Sequence, residues 1–148
     1  MPQDDLTERA RALLDLCHRK GLKLAVAESC TGGLLAATLT EIPGSSDVFE
    51  RGFVTYSNEA KEAMLGVAPL TLAMHGAVSR ETAEAMASGA LAHAPVHLAV
   101  SITGIAGPGG AVPGKPVGLV HFAAASRAGR LIARVRMEDW PVLAASAG

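Results

Sequence analysis

Ser29 and Lys61 are the residues whose types and settings could do chemistry together. Ser29 follows the apolar run Leu24-Ala25-Val26-Ala27 and precedes Thr31-Gly32-Gly33, after which comes Leu34-Leu35-Ala36-Ala37. A short hydrophobic run stopped by glycine reads as a buried strand, and the run beyond it as a helix. The hydroxyl then sits at the carboxyl end of a strand, beside the free N–H groups of a helix N-terminus. Such groups bind anions and stabilise a developing oxyanion, which makes Thr31, Gly32 and Gly33 candidate donors. Lys61 lies in Tyr56-Ser57-Asn58-Glu59-Ala60-Lys61, where Asn58 is the expected N-cap and Lys61 falls in the first helical turn. The positive end of that helix dipole disfavours an ammonium and predicts a lowered pKa. A serine near amide donors and a lysine biased toward the neutral amine are the two parts of a Ser/Lys hydrolase.

Each residue also has a plainer reading. Ser29 can serve only as an N-cap, and spacing alone favours that role. Its flanks, Ala27 and Thr31, are not those of the G-x-S-x-G nucleophile elbow. Cys30 is a rival nucleophile, since a helix N-terminus lowers a thiol pKa, or simply a small buried residue. Lys61 can be a solvated lysine on an amphipathic turn. Tyr56 is either a core residue with its hydroxyl at the surface, or a proton relay and a support for Lys61. Further on, Thr103-Gly104-Ile105-Ala106-Gly107-Pro108-Gly109-Gly110 follows a buried strand, where open α/β sheets bind ligands. Thr103, Gly104, Ala106, Gly107 and Gly109 are therefore candidate substrate contacts, against an ordinary strand-end loop. Gly109 to Lys115 satisfies the P-loop spacing, but Pro116 replaces the required hydroxyl residue and a strand follows in place of a helix. His93 and His97 are separated by Pro95 and lack the Glu of a zinc motif, so no metal is expected.

The elements that must position these residues alternate along the chain. A helix is expected from about Asp5 to Lys20, a strand over Leu22 to Glu28, and a helix from Thr31 to about Glu41. A second strand is expected over Gly52 to Tyr56, then a short helix from Glu59 to Leu65 stopped at Gly66. Ser79 caps a longer helix carrying Ala83, Met86, Ala87, Ala90 and Leu91 on one face. His97 to Thr103 reads as another buried strand, and Val117 to Ala125 with Leu131 to Met137 as a hairpin. This order predicts an α/β fold, a three-layer α/β/α sandwich with a mixed sheet, in a single domain spanning residues 1–148. Half the sequence is hydrophobic (49%) but only 3% aromatic, so the core must be built from Ala, Leu and Val. A net charge of −1 argues against a nucleic-acid partner bound through a basic surface. The acidic N-terminus lacks the pattern of a signal peptide, and no apolar run approaches the roughly 20 residues of a membrane span. A cytoplasmic protein with no membrane partner is expected.

Four blocks occur in a telling order: Ala27-Glu28-Ser29-Cys30-Thr31-Gly32-Gly33, Tyr56-Ser57-Asn58-Glu59-Ala60-Lys61, Gly76-Ala77-Val78-Ser79 and Thr103 through Gly110. With Lys115-Pro116-Val117-Gly118-Leu119-Val120 they closely resemble the competence/damage-inducible CinA C-terminal domain, the nicotinamide-nucleotide amidohydrolase or NMN deamidase family. The resemblance reverses the preference at Ser29. It implies hydrolysis of the carboxamide of nicotinamide mononucleotide, without a cofactor, to nicotinate mononucleotide and ammonia. Ser29 would be the nucleophile and Lys61 the base, with Tyr56 assisting at Lys61 or the nicotinamide ring. A small-molecule substrate is the implied partner, and a homo-oligomer is left open. Non-catalytic binding of a pyridine nucleotide and hydrolysis of another small amide are the alternatives. Met137 through Gly148 lack the Gly-Asp-Arg turn and arginine-bearing helix usual after the last strand, which predicts weaker substrate binding.

Overall fold

The computed structural model describes residues 3–137. The expected departure from the family pattern therefore lies outside the described residues, apart from Met137 at the end of the last strand. Five strands form one sheet in the order β2-β1-β3-β4-β5. β1 (Leu24–Glu28) runs parallel to β2 (Phe49–Val54) and to β3 (Leu98–Gly104). β4 (Leu119–Ser126) pairs antiparallel with β3, and β5 (Leu131–Met137) antiparallel with β4. The sheet is mixed, as expected from a βα alternation that ends in a hairpin.

Alternation along the strands explains the layers. In β1, Leu24 and Val26 point to one face and meet Leu14, Cys17 and Leu39 from α1 (Gln3–Lys20) and α2 (Leu34–Thr40). Ala25 and Ala27 point to the other face, where α5 (Arg80–Ala92) lies with α3 (Asn58–Leu65) and α4 (Pro69–His75). All five residues of β1 are buried, the expected result for a parallel strand with helices on both faces. Small residues set the spacing of the second layer. Ala83 and Ala87 of α5 pack on Ala123 and Ala125 of β4. A Cβ added at Gly89 of α5 would lie 2.1 Å from the Leu65 carbonyl oxygen, so only glycine lets α5 approach α3. Ser79 caps α5 as expected, its Oγ accepting from the Thr82 N–H at 3.1 Å.

Several elements depart from the sequence expectation, β4 by starting at Leu119 rather than Val117. β1 begins at Leu24 rather than Leu22, and β2 is displaced toward the N-terminus. Phe49 joins the core under α1, while the carbonyls of Thr55 and Tyr56 turn toward Lys61. α2 starts three residues late because Gly32 and Gly33 adopt φ of 58° and 110°, which a right-handed helix does not accept. α4 was not anticipated. Its exposed face carries Leu70 and Met74, so its apolar residues lack one-sided periodicity, and Pro69 at its start was the available signal.

Candidate active site

Ser29 leaves the end of β1, and Lys61 reaches it from the first half of α3. Lys61 Nζ lies 3.0 Å from Ser29 Oγ. The same nitrogen donates to the Thr55 carbonyl at 3.0 Å and the Tyr56 carbonyl at 3.2 Å, with the Ser57 carbonyl at 3.5 Å. The lysine is 1% exposed, and none of these partners is a carboxylate. Burial pushes its pKa below the ordinary lysine value, and the neighbouring Cys30 sulfur partly opposes this. The direction agrees with the sequence expectation, but the cause is different. The cap is Ser57, whose side chain accepts from the Ala60 N–H at 3.0 Å, so Asn58 is the first residue inside α3. Lys61 then lies beyond the three positions nearest the cap, and desolvation lowers its pKa. As the cage stands, Nζ donates to the Ser29 hydroxyl and to the Thr55 and Tyr56 carbonyls, and loss of one proton leaves a lone pair that the serine hydroxyl can meet.

Cys30 is beside the pair yet poorly suited to compete with it. Burial and the charge of Glu28 push the thiol up to about 11 against the lowering effect of nearby backbone N–H groups and Lys61. The thiolate, which is the reactive form, is scarce near neutral pH.

The expected oxyanion donors require correction. The Gly32 N–H is bonded to the Ser29 carbonyl at 3.1 Å. The Gly33 N–H is bonded to Glu28 Oε1 at 3.2 Å, and the Thr31 hydroxyl donates to the same oxygen. Neither Thr31 nor either glycine lines the cleft. Among the described residues, the N–H groups of Cys30 and Thr31 have no oxygen acceptor and lie against the Cys30 sulfur. Glu28 was the signal available in the sequence: a carboxylate closing an otherwise apolar strand must find donors for itself.

Ser29, Cys30, Tyr56 and Lys61 form one wall of a cleft of about 280 Å³. Opposite them stand Ala77, Val78, the end of β3 with Thr103 and Gly104, and the loop after it with Ala106, Gly107 and Gly109. The structure thus brings the two sequence-predicted clusters together. Thr103 Oγ1 is occupied with the Ala77 carbonyl at 2.8 Å, so it braces the loop. A Cβ at Gly104 would stand 2.8 Å from the Leu119 carbonyl and 3.3 Å from Cys30 Sγ, which makes close packing its purpose. Tyr56 is 74% exposed, and its contact with Lys61 is through the backbone carbonyl. The phenol makes no hydrogen bond to Ser29 or Lys61 among the described residues. His93 Nδ1 lies 2.7 Å from the Gly89 carbonyl, and His97 Nδ1 accepts from the Lys23 N–H at 2.9 Å, so each ring holds its own backbone neighbour. A second cleft, about 210 Å³ between α1 and the turn at Gly44, contains His18 and Asp47 3.7 Å apart but no buried polar group.

A model of the CinA C-terminal domain matches residues 6–141. The chain belongs to that family. A CinA-like protein of Chloroherpeton thalassium is 58% identical over 114 residues, covering 77% of this chain and 27% of the relative. A CinA-like protein of Geobacter sulfurreducens is 55% identical over 118 residues, covering 80% of this chain and 29% of the relative. The chain therefore spans less than a third of the length of the curated relatives it matches. Among solved structures, the competence/damage inducible protein of Agrobacterium tumefaciens has a TM-score of 0.89 at 51% identity, covering 92% of this chain and 82% of that one. A CinA superfamily protein of Escherichia coli reaches 0.87 at 34% identity, covering 99% and 84%. The α/β architecture is thus that of the CinA superfamily. No helix among the described residues is long and apolar enough to cross a membrane.

Proposed function

We propose that this CinA-family chain is a Ser/Lys amidohydrolase acting on the carboxamide of nicotinamide mononucleotide. The observation that carries the chemistry is the buried Lys61 amine, 3.0 Å from Ser29 Oγ with carbonyls as its other partners. Neutral Lys61 takes the Ser29 proton as Oγ attacks the carboxamide carbon. The N–H group of Cys30, which lines the cleft and has no oxygen acceptor among the described residues, is the donor available to the resulting oxyanion. The Lys61 ammonium returns the proton to the amide nitrogen, ammonia departs, and water hydrolyses the ester by the reverse sequence. The exposed Tyr56 ring offers a face for the pyridine, and the glycine loop after β3 offers backbone N–H groups to the ribose phosphate. The choice of substrate rests on the family resemblance.

A second reading, a serine amidase for another small amide, is favoured by one feature. Lys61 is the only cationic side chain lining the described cleft, and it is engaged at the serine. Ammonia release from nicotinamide mononucleotide and from a panel of small amides separates the two. Parent protein should release ammonia from the mononucleotide in preference to free nicotinamide. Ser29→Ala should lower the rate about 10⁴-fold or more while remaining folded, as loss of a nucleophile does elsewhere. Loss of turnover only on Cys30→Ala would instead transfer the role to the thiol.

A further inference from the structure

We propose that Glu28 is a positioning residue for this acyl-transfer site. Its carboxylate gathers the turn after Ser29 and so fixes the backbone that presents the nucleophile and the N–H group of Cys30. The inference rests on the reading of Ser29 as the nucleophile.

Glu28 is fully buried at the end of β1, one residue before Ser29. Oε1 accepts from the Thr31 hydroxyl, from the Gly33 N–H at 3.2 Å and from the Leu35 N–H at 3.0 Å. Oε2 accepts from the Ala36 N–H at 2.9 Å. A carboxylate taken out of water is strongly disfavoured unless its lone pairs are met, and here four donors meet them. The Glu28 backbone is equally committed, since its carbonyl accepts from the Thr55 N–H at 2.8 Å and the Thr55 hydroxyl at 3.3 Å. Thr55 in turn supplies a carbonyl to Lys61. One residue therefore ties the strand carrying Ser29, the turn that follows it and the segment that holds the base.

Three consequences follow for the site. The N–H groups at the start of α2 are filled by the protein itself, so neither substrate phosphate nor oxyanion can take them. Gly32 and Gly33 have no side chains to hold the turn, so besides its backbone hydrogen bonds the carboxylate of Glu28 sets where it points. The Glu28 charge also adds to burial in keeping the adjacent Cys30 thiol protonated, which leaves the hydroxyl without a competing thiolate.

The test uses the full chain with Glu28→Gln and Glu28→Asp. Glutamine keeps the length but turns an amide NH₂ toward a backbone N–H, while aspartate is one methylene too short to reach α2. Two rates are measured: steady-state turnover of nicotinamide mononucleotide, and labelling of Ser29 by a fluorophosphonate. In the labelling step Oγ bonds to phosphorus, fluoride leaves and the serine proton passes to Lys61. Displacement of a reacting group by about 1 Å costs on the order of 100-fold, so Glu28→Asp should lose about that in kcat and Glu28→Gln about tenfold. KM should stay within about threefold, since binding groups elsewhere are untouched, and the labelling rate should fall in parallel with kcat. Should Glu28→Asp fail to fold, Thr31→Val removes one donor while keeping the carboxylate. It should slow labelling a few-fold, with Thr31→Ser restoring it. Unchanged labelling across folded variants overturns the role of Glu28 and leaves Ser29 intact, and a rise in KM with kcat preserved overturns it too. A parent protein that is labelled without turning over the mononucleotide refutes the substrate alone, and the labelling series still decides Glu28. A parent that is neither labelled nor active removes both.

Discussion

Two turns leave the carboxyl ends of parallel strands and face each other across the cleft, and they are built in opposite ways. The turn after β1 is short and bonded throughout: Ser29 N–H to the Ile102 carbonyl, Gly32 N–H to the Ser29 carbonyl, and four donors to Glu28. The loop after β3 is long and tied only at intervals, by Ile105 with Leu119 and Gly118, by Val112 with Lys115, and by Lys115 Nζ on the His75 carbonyl. Among its described residues the N–H groups of Ala106, Gly107, Gly109 and Gly110 have no protein acceptor. On the proposed function, the reacting groups have their positions before any ligand arrives, whereas the opposite wall keeps donors in reserve for one. Catalytic efficiency should therefore be governed by the first turn and its lysine, and affinity by the second.

The sharpest challenge to that division is Lys61→Arg. A guanidinium keeps the charge but does not deprotonate at working pH, so kcat should fall about 10²–10⁴-fold, nearly as far as in Lys61→Ala. Near-parent rates in Lys61→Arg would make the lysine an electrostatic support and the first turn ordinary. The pH profile tests the same wall less drastically. Because the base must be neutral and burial lowers its pKa, kcat/KM should rise about tenfold per pH unit on the acid side and level off below pH 10.5. A limb that climbs on to about 11 would point to the Cys30 thiol.

Smaller effects sharpen the contrast within the glycine loop. Gly104→Ala puts a methyl against the Leu119 carbonyl and should cost about 1–3 kcal/mol in thermal or denaturant unfolding. A Cβ at Gly109 meets nothing within 4 Å, so Gly109→Ala should change stability by less than about 0.5 kcal/mol. Its effect should be on KM, and equal stability losses at the two positions would erase the distinction. Least of all, Tyr56→Phe should leave kcat within about twofold, because the tyrosine contacts Lys61 through its carbonyl. A loss matching that of Lys61→Arg would restore the phenol as a proton carrier.

The sequence made the architecture legible wherever apolar periodicity and a cap agreed: β1, β3, α5 behind Ser79, and the hairpin of β4 with β5. It also paired Ser29 with Lys61, since a shared strand-end edge follows from the parallel order. What it hid depends on contacts that have no spacing. Ser57 rather than Asn58 caps α3 because the chain arrives extended at Ser57, with φ −86° and ψ 163°. Thr31, Gly32 and Gly33 looked like free donors because the strand-to-helix pattern does not reveal that Glu28 folds back onto them. The lowered pKa of Lys61 was inferred from a dipole along its own helix, while its cause is burial from several sides at once.

Gly89 shows how far the site extends beyond the residues that form it. Its missing side chain lets the Leu65 backbone sit against α5, and Leu65 is one helical turn from Lys61 on α3. Any substituent at position 89 must push α3 outward and carry the amine away from Ser29. In a saturation-mutagenesis screen scored on ammonia release, position 89 should read as intolerant as Ser29, although it does not line the cleft. Soluble but inactive alleles there would map the mechanical coupling between the two helices, a constraint that a catalogue of cleft residues would miss.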